Sequence, residues 1–244
     1  MGRLIELNAD VGEGGPDAEV VPHVHRVSIA CGGHAGDADS MRAALLLAKA
    51  HGILAGAHPG YPDPANFGRR AMAADRADLA RWIVEQTLAL RAMAAELEMK
   101  LFHVKPHGAL YNRAAMGGET AQAVIAAMQE LQDLALVVLA GSPLAAWARE
   151  AGVAVLEEAF ADRRYLHGGG LAPRGQAGAV IDEPEQVLAQ AKKIAAGEAF
   201  PTLDGGMLRV RADTLCLHGE GRLAPELARL LSEKLRGDGA VCFT

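Results

Sequence analysis

Leu101-Phe102-His103-Val104-Lys105-Pro106-His107-Gly108-Ala109-Leu110-Tyr111-Asn112 is the stretch on which the reading of the whole chain turns. Alternation along an extended backbone puts Phe102, Val104 and Pro106 on one face and His103, Lys105 and His107 on the other. In a sheet wrapped by helices the apolar face meets the helices, so three titratable side chains look into a lumen or cleft. Pro106-His107-Gly108 carries turn residues and places His107 where a strand gives way to a loop. A lone histidine on such a face is usually a satisfied core residue; two histidines and a lysine sharing one wall point to a site.

Strands of the same kind recur on both sides of this stretch. Residues 3–10 alternate Ile5, Leu7 and Ala9 against Glu6, Asn8 and Asp10, then run into Gly12-Glu13-Gly14-Gly15. A short strand at 27–30 opens onto Cys31-Gly32-Gly33-His34, and Asp37 caps a helix bearing Met41, Ala44, Leu45 and Ala48 that stops at Gly52. A strand at 53–57 leads to His58-Pro59-Gly60-Tyr61 and on to Phe67-Gly68-Arg69-Arg70. The longest helix spans 75–99 with a stripe of Leu79, Trp82, Ile83, Leu90, Met93 and Leu97; Gln86 interrupts the stripe and reads as a buried amide bonded at the wall.

Beyond the opening stretch, helices are expected at 119–131 and 144–149 and strands at 136–140 and 153–156. The last of these sends Glu157, Glu158, Asp162, Arg163 and Arg164 toward a loop with Gly168-Gly169-Gly170 and Arg174. Three glycines in a row mean either a flexible lid or a backbone brought close to a ligand. Asp182 and Glu185 form a capping-box-like helix start, 214–217 is the last clear strand and ends at His218-Gly219-Glu220, a leucine-rich helix follows, and 240–244 reads as an edge strand.

The alternation of strand, loop and helix from end to end is that of an α/β chain, either a (β/α) barrel or a doubly wound sheet. Asp10, His34, His58, His107, Glu157 and His218 each follow a different strand, and only a closed barrel gathers so many strand ends on one rim. A single TIM-like (β/α) barrel over 1–244 is therefore expected. At 244 residues, 50% hydrophobic and only 4% aromatic, the chain can bury a large core of small side chains. A formal charge of −6 and no basic run argue against nucleic acid or an anionic membrane as partner. No long apolar span or signal-peptide pattern is present, so a cytoplasmic location is expected. The three cysteines, Cys31, Cys216 and Cys242, lack the pairing of a disulfide framework or structural zinc site.

The rim residues suit hydrolysis or proton transfer. Asp10 and Glu13, with His34, His58 and His107, can act as general bases, proton carriers or ligands of a divalent metal, and a metal would take two or three of Asp10, His34 and His58. Arg69, Arg70, Lys105 and Arg174 can clamp a carboxylate or phosphate. Cys31 is either a nucleophile or, more commonly for a cysteine at a strand end, a small buried hydrophobe. Neither Gly-x-Gly-x-x-Gly nor Gly-x-x-x-x-Gly-Lys-Ser/Thr is present, so neither of those nucleotide loops is encoded.

Leu7-Asn8-Ala9-Asp10-Val11-Gly12-Glu13, Ile29-Ala30-Cys31-Gly32-Gly33-His34-Ala35-Gly36-Asp37, Gly56-Ala57-His58-Pro59-Gly60-Tyr61-Pro62-Asp63, Phe67-Gly68-Arg69-Arg70, Lys105-Pro106-His107-Gly108-Ala109-Leu110-Tyr111-Asn112 and Phe160-Ala161-Asp162-Arg163-Arg164-Tyr165 together resemble the LamB/YcsF family, the A subunits of 5-oxoprolinase. Ser28, Gly33, Asn66 and Glu220 depart from the family's usual Asn, Phe, Gly and Asp. The resemblance implies an irregular barrel of the glycoside hydrolase/deacetylase type. It also implies ATP-dependent opening of 5-oxo-L-proline to L-glutamate together with subunits B and C, a homo-oligomer being left open. On that footing Asp10, Glu13, His58, His107 and Lys105 are the expected catalytic set, and Asn8, His34, Arg69, Arg70, Tyr111, Asn112, Asp162, Arg163 and His218 the expected substrate contacts. ATP would be used with the partners. The alternatives are a stand-alone metal-dependent amide or N-acetyl hydrolase, and a non-catalytic barrel that binds a small acid and regulates its partners.

Overall fold

The computed structural model describes residues 5–217 and 223–237. Seven parallel strands close into a barrel in the order β1 (Glu6–Val11), β2 (Arg26–Ala30), β3 (Leu54–His58), β4 (His103–Val104), β5 (Ala135–Leu139), β6 (Val155–Phe160) and β9 (Thr214–Leu217), which pairs back onto β1. The helices between them are α1 (Asp17–Val20), α2 (Ala38–His51), α3 (Arg76–Glu96), α4 (Gly108–Ala115), α5 (Gly118–Leu131), α6 (Pro143–Glu150), α7 (Pro184–Ala196) and α8 (Ala224–Gly237). A small antiparallel hairpin, β7 (Phe200–Pro201) with β8 (Met207–Leu208), stands outside the barrel. None of the described helices is long and apolar enough to cross a membrane.

Closure follows from the pattern of side chains. Outward residues of the strands, Leu7, Ala9, Val27, Ile29, Ala55 and Leu215, are fully or almost fully buried against Leu45, Ile83, Leu90, Val124 and Leu231 of the helices. Burying each leucine- or isoleucine-sized side chain contributes roughly 1.5–3 kcal/mol, enough in sum to hold a lumen that is itself polar. Inward residues are Asn8, Asp10, Ser28, His58, His103, Lys105, Glu158 and Thr214, every one of them buried. In register, Asp10 stands beside Ser28 and Asn8 beside Cys216. Gly56 completes that layer by omission, because a Cβ there would overlap the His103 ring.

Local chemistry sets several boundaries. Asp37 caps α2 through a reciprocal pair with Ser40, and Gly52 ends the helix in the left-handed region. Gln86 interrupts the α3 stripe because its amide clamps one backbone unit, accepting from Gly60 N at 3.0 Å and donating to Gly60 O at 2.8 Å. Other expectations give way. Helix α7 begins at Pro184 with Glu183 at its cap and no side-chain cap bond, not at Asp182, since proline fixes the first helical φ. Helix α4 starts directly after His107 where a loop was expected. Phe102, expected against the helices, is 47% exposed because it lies at the strand's entry, outside the two residues of β4.

The largest shift is in β6, which runs through Phe160 instead of stopping at 156. Glu157 and Glu158 therefore belong to the strand and face opposite ways. Glu157, expected on the rim, turns outward to Arg149 at 2.6 Å, while Glu158 points into the lumen with no exposed surface. The expected strand at 240–244, His218-Gly219-Glu220 and Cys242 lie outside the described residues.

Candidate active site at the barrel mouth

A cavity of about 700 Å³ opens at the C-terminal ends of the strands. Asp10, Glu13, His58, Lys105 and His107 line its floor, and Arg69, Arg113, Arg163 and Arg174 its sides. Gly168-Gly169-Gly170 also borders it, together with the 82% exposed Met116.

Two clusters make up the floor. In the deeper one, Lys105 Nζ lies 2.9 Å from both Asp10 Oδ1 and Glu158 Oε1. Neither oxygen meets hydrogen-bond geometry, so those contacts are charge pairing, whereas Asp10 Oδ2 accepts a directed bond from the ammonium at 3.1 Å. Tyr111 donates to Glu158 at 3.0 Å, and Cys216 Sγ is 3.2 Å from Nζ. Burial works to neutralise Lys105, but Asp10, Cys216 and Glu158 reverse this and hold it charged well above the usual lysine range. Burial likewise raises the Glu158 carboxyl and is only partly offset by Lys105. For Asp10 the balance goes the other way: burial is outweighed by His58 and Lys105, and the carboxyl is lowered.

The upper cluster is carried by the last residue of β3 and the segments after β1, β2 and β4. Glu13 Oε1 lies 2.7 Å from His34 Nε2, 3.1 Å from His107 Nδ1 and 3.5 Å from His58 Nε2, and His107 Nδ1 is 2.9 Å from His58 Nε2. The far nitrogens are committed elsewhere: His58 Nδ1 donates to Lys105 O at 2.7 Å and His107 Nε2 donates to Phe67 O at 3.0 Å. Burial tends to raise Glu13, but its close contacts with His107 and His34 win and lower it. Burial takes His58 down to about 3 in spite of the neighbouring Asp10, so the ring is neutral at physiological pH.

The rings of His34 and His107 stack at 3.5 Å with planes 2° apart. Glycines make the space: a Cβ on Gly60 would lie 2.6 Å from His34 Nδ1, one on Gly68 2.7 Å from His34 Cβ, and one on Gly108 2.8 Å from Gly68 O. Gly60→Ala is therefore expected to cost about 1–3 kcal/mol through overpacking. Gly168→Ala, with nothing within 4 Å of the added methyl, should stay within about 0.5 kcal/mol of the parent. Urea unfolding midpoints of the two variants check this; equal midpoints would remove the packing constraint on the histidine pair.

The structure brings together Asp10, Glu13, His34, His58, Lys105 and His107. Arg69, Asn112 and Arg163 also border the cavity, Arg69 with its guanidinium 4.7 Å above the Phe67 ring. Arg163 is buried and donates to the carbonyls of Ala172 and Ala179, which ties the glycine-rich loop down. Asn8 lies in the lumen, donating to Thr214 Oγ1 at 2.8 Å, and Tyr111 reaches the site through Glu158. Asp162 is buried, Arg70 is exposed and does not border the cavity, and His218 is outside the described residues. Lys105, expected as an anion clamp, is consumed by its two carboxylates. Of the metal ligands expected from the sequence, His34 and His58 meet Glu13 and His107, while Asp10 turns to Lys105. Cys31 is buried, its thiol donates to Ile29 O and burial pushes it up to about 12, which takes it out of the running as a nucleophile. Sequence reasoning gave no role to Glu158 or Arg113; the signal for the former was two adjacent acids in an alternating strand, one of which had to face inward.

The crystal structure of a lactam utilization protein from Thermus thermophilus superposes with a TM-score of 0.90 at 42% identity, over 97% of each chain. A T48 deacetylase in complex with its substrate shares the fold alone, with a TM-score of 0.50 and 12% identity over 100% of this chain and 88% of the other. Among curated sequences, the 5-oxoprolinase A chain of the same Thermus species is 43% identical over 242 residues, covering 96% of this chain and 97% of the relative. The model of the LamB/YcsF family matches residues 5–243, nearly the full span that builds the barrel and its mouth, and the chain belongs to that family.

Proposed function

We propose that this chain is the ring-opening component of an ATP-dependent 5-oxoprolinase, converting 5-oxo-L-proline to L-glutamate together with partner subunits B and C. The observation that carries the reading is an acid and imidazole floor beneath an arginine-lined mouth, in a chain 43% identical to a relative that bears the name of a 5-oxoprolinase component. A five-membered lactam is an unstrained amide, and phosphorylation of its carbonyl oxygen makes the carbonyl carbon open to attack by water. The sequence holds neither common nucleotide loop, so activation falls to the partners and hydrolysis to this barrel.

Within the cavity, Arg69, Arg113 and Arg174 attract the anionic ring. Glu13, His58 and His107 hold the attacking water at the former carbonyl carbon. His58 and His107 each commit their ring N–H to a backbone carbonyl, which leaves them lone pairs instead of protons to offer. Proton transfer therefore passes to Asp10, kept ionised by Lys105: it takes a proton from water as the C–O bond forms at the phosphorylated carbon and returns it to the ring nitrogen as the C–N bond breaks, and a second water then hydrolyses the resulting acyl phosphate to glutamate and phosphate.

Glutamate release from 5-oxoproline and ATP is expected only when the cognate B and C subunits are added. Ring opening by the isolated chain without ATP would overturn the division of labour, and acetate release from N-acetyl substrates by the isolated chain would support the stand-alone hydrolase instead.

A further inference from the structure

Four ligand-type atoms from Glu13, His34, His58 and His107 lie within 4.8 Å of one another at the cavity floor. Their hydrogen bonds assign the protons. His58 Nδ1 and His107 Nε2 each face a backbone carbonyl, which can only accept, so each carries the ring hydrogen. The nitrogens left over, His58 Nε2 and His107 Nδ1, are lone pairs, and they point at each other across 2.9 Å. Glu13 Oε1, also an acceptor, faces both. Three acceptors aimed at one point repel unless a positive charge lies among them.

We propose that Glu13, His58 and His107 bind a divalent transition-metal cation, Zn²⁺ by the chemistry of the set, with an open position toward the cavity beside Asp10. The three ligand-to-ligand separations are 2.9, 3.1 and 3.5 Å. A tetrahedral zinc with bonds of about 2.0–2.1 Å sets its ligands about 3.3 Å apart, so the site needs little adjustment. Two imidazoles and one carboxylate suit a borderline-soft ion better than Mg²⁺ or Ca²⁺, which favour oxygen shells. The supporting contacts are those that orient metal ligands: ring N–H groups fixed on carbonyls, and His34 Nε2 donating to the Glu13 carboxylate at 2.7 Å. His34 does not border the cavity, whereas Glu13, His58 and His107 do, so three protein ligands face the open space and the fourth side is left to water or substrate. Asp10 Oδ2, 3.5 Å from His58 Nε2, stands where a base next to such a water would stand.

The site shares Glu13, His58 and His107 with the proposed ring-opening reaction, but ion binding needs no turnover and is tested on the full chain without partners. Protein stripped with EDTA and dialysed is titrated with ZnCl₂ by calorimetry and with CoCl₂ by visible absorption. One equivalent per chain is expected, with Kd below about 1 μM and a Co²⁺ band of four-coordinate intensity. Glu13→Gln and His107→Gln should each weaken binding about tenfold or more, with folding checked by circular dichroism. The proposal falls if the wild-type chain shows no saturable uptake at about 100 μM ion, the result expected were protons alone holding the cluster. It falls equally if both variants bind undiminished, and if one variant does not fold, the other and the wild-type cobalt spectrum still decide. A chain that binds zinc but fails the glutamate assay would retain this site and lose the proposed reaction.

Discussion

Replacing Lys105 by methionine is expected to destabilise the barrel by about 3–5 kcal/mol, the largest effect of any single change considered for its stability. The side chains are of similar length, so little packing is lost. What changes is that Asp10 and Glu158, with side chains 9% and 0% exposed, lose the one ammonium between them. At least one carboxyl must then take up a proton or stay charged without a counterion, and water cannot reach Glu158 to compensate. The measurement is urea unfolding of Lys105→Met beside Lys105→Met/Glu158→Met, which removes the deeper acid as well. The double variant should recover part of the loss, since the damage comes from the stranded charge and not from the missing lysine contacts. An unchanged midpoint in the single variant would show that the lumen tolerates unpaired acids and would undo the electrostatic account of the floor.

Glu13→Gln is the second change with a large effect, and it acts on turnover. Glutamine keeps the shape and one carbonyl oxygen but removes the charge that His34, His58 and His107 converge upon. Reconstituted with its partner subunits, the variant should form glutamate about 10²–10⁴-fold more slowly than the parent at saturating substrate. The loss should appear in kcat, because the arginines that attract the substrate are untouched. Parent-like kcat with a raised KM would place Glu13 in substrate binding and take the water-holding role away from the cluster.

Much of this was legible in the residues. The alternation of 5–10 and 101–107 is the direct imprint of a strand with a wet face and a dry one: His103 and Lys105 face the lumen and His107 the cavity above it. The barrel itself could be chosen over an open sheet because chemistry-bearing residues followed so many separate strands. Gln86 was readable as a bonded amide because a lone polar residue in an apolar stripe must find a partner. The β6 boundary was not legible, since Val155-Leu156-Glu157-Glu158 looks like a strand that has ended. Lys105, contributed from across the lumen, and the Tyr111 hydroxyl make a buried glutamate tolerable there. The true partner of Asp10 was hidden for the same reason: local patterning says which face a side chain takes, and nothing about which distant charge it meets. The glycines around His34 were visible as turn residues, while their function as space for two stacked rings belongs to tertiary packing.

The strand that closes the barrel is the last of those described. Glu6 and Asn8 are held by Thr214 and Cys216, and the Asn8–Thr214 side-chain bond spans 206 positions. On a ribosome, the chain must therefore expose its first strand with one edge unsatisfied until nearly everything else has been synthesised. The nascent protein carries its acidic and basic lumen groups half-assembled for most of translation, and any nonsense change before Thr214 yields an open, sticky sheet and no partially working enzyme.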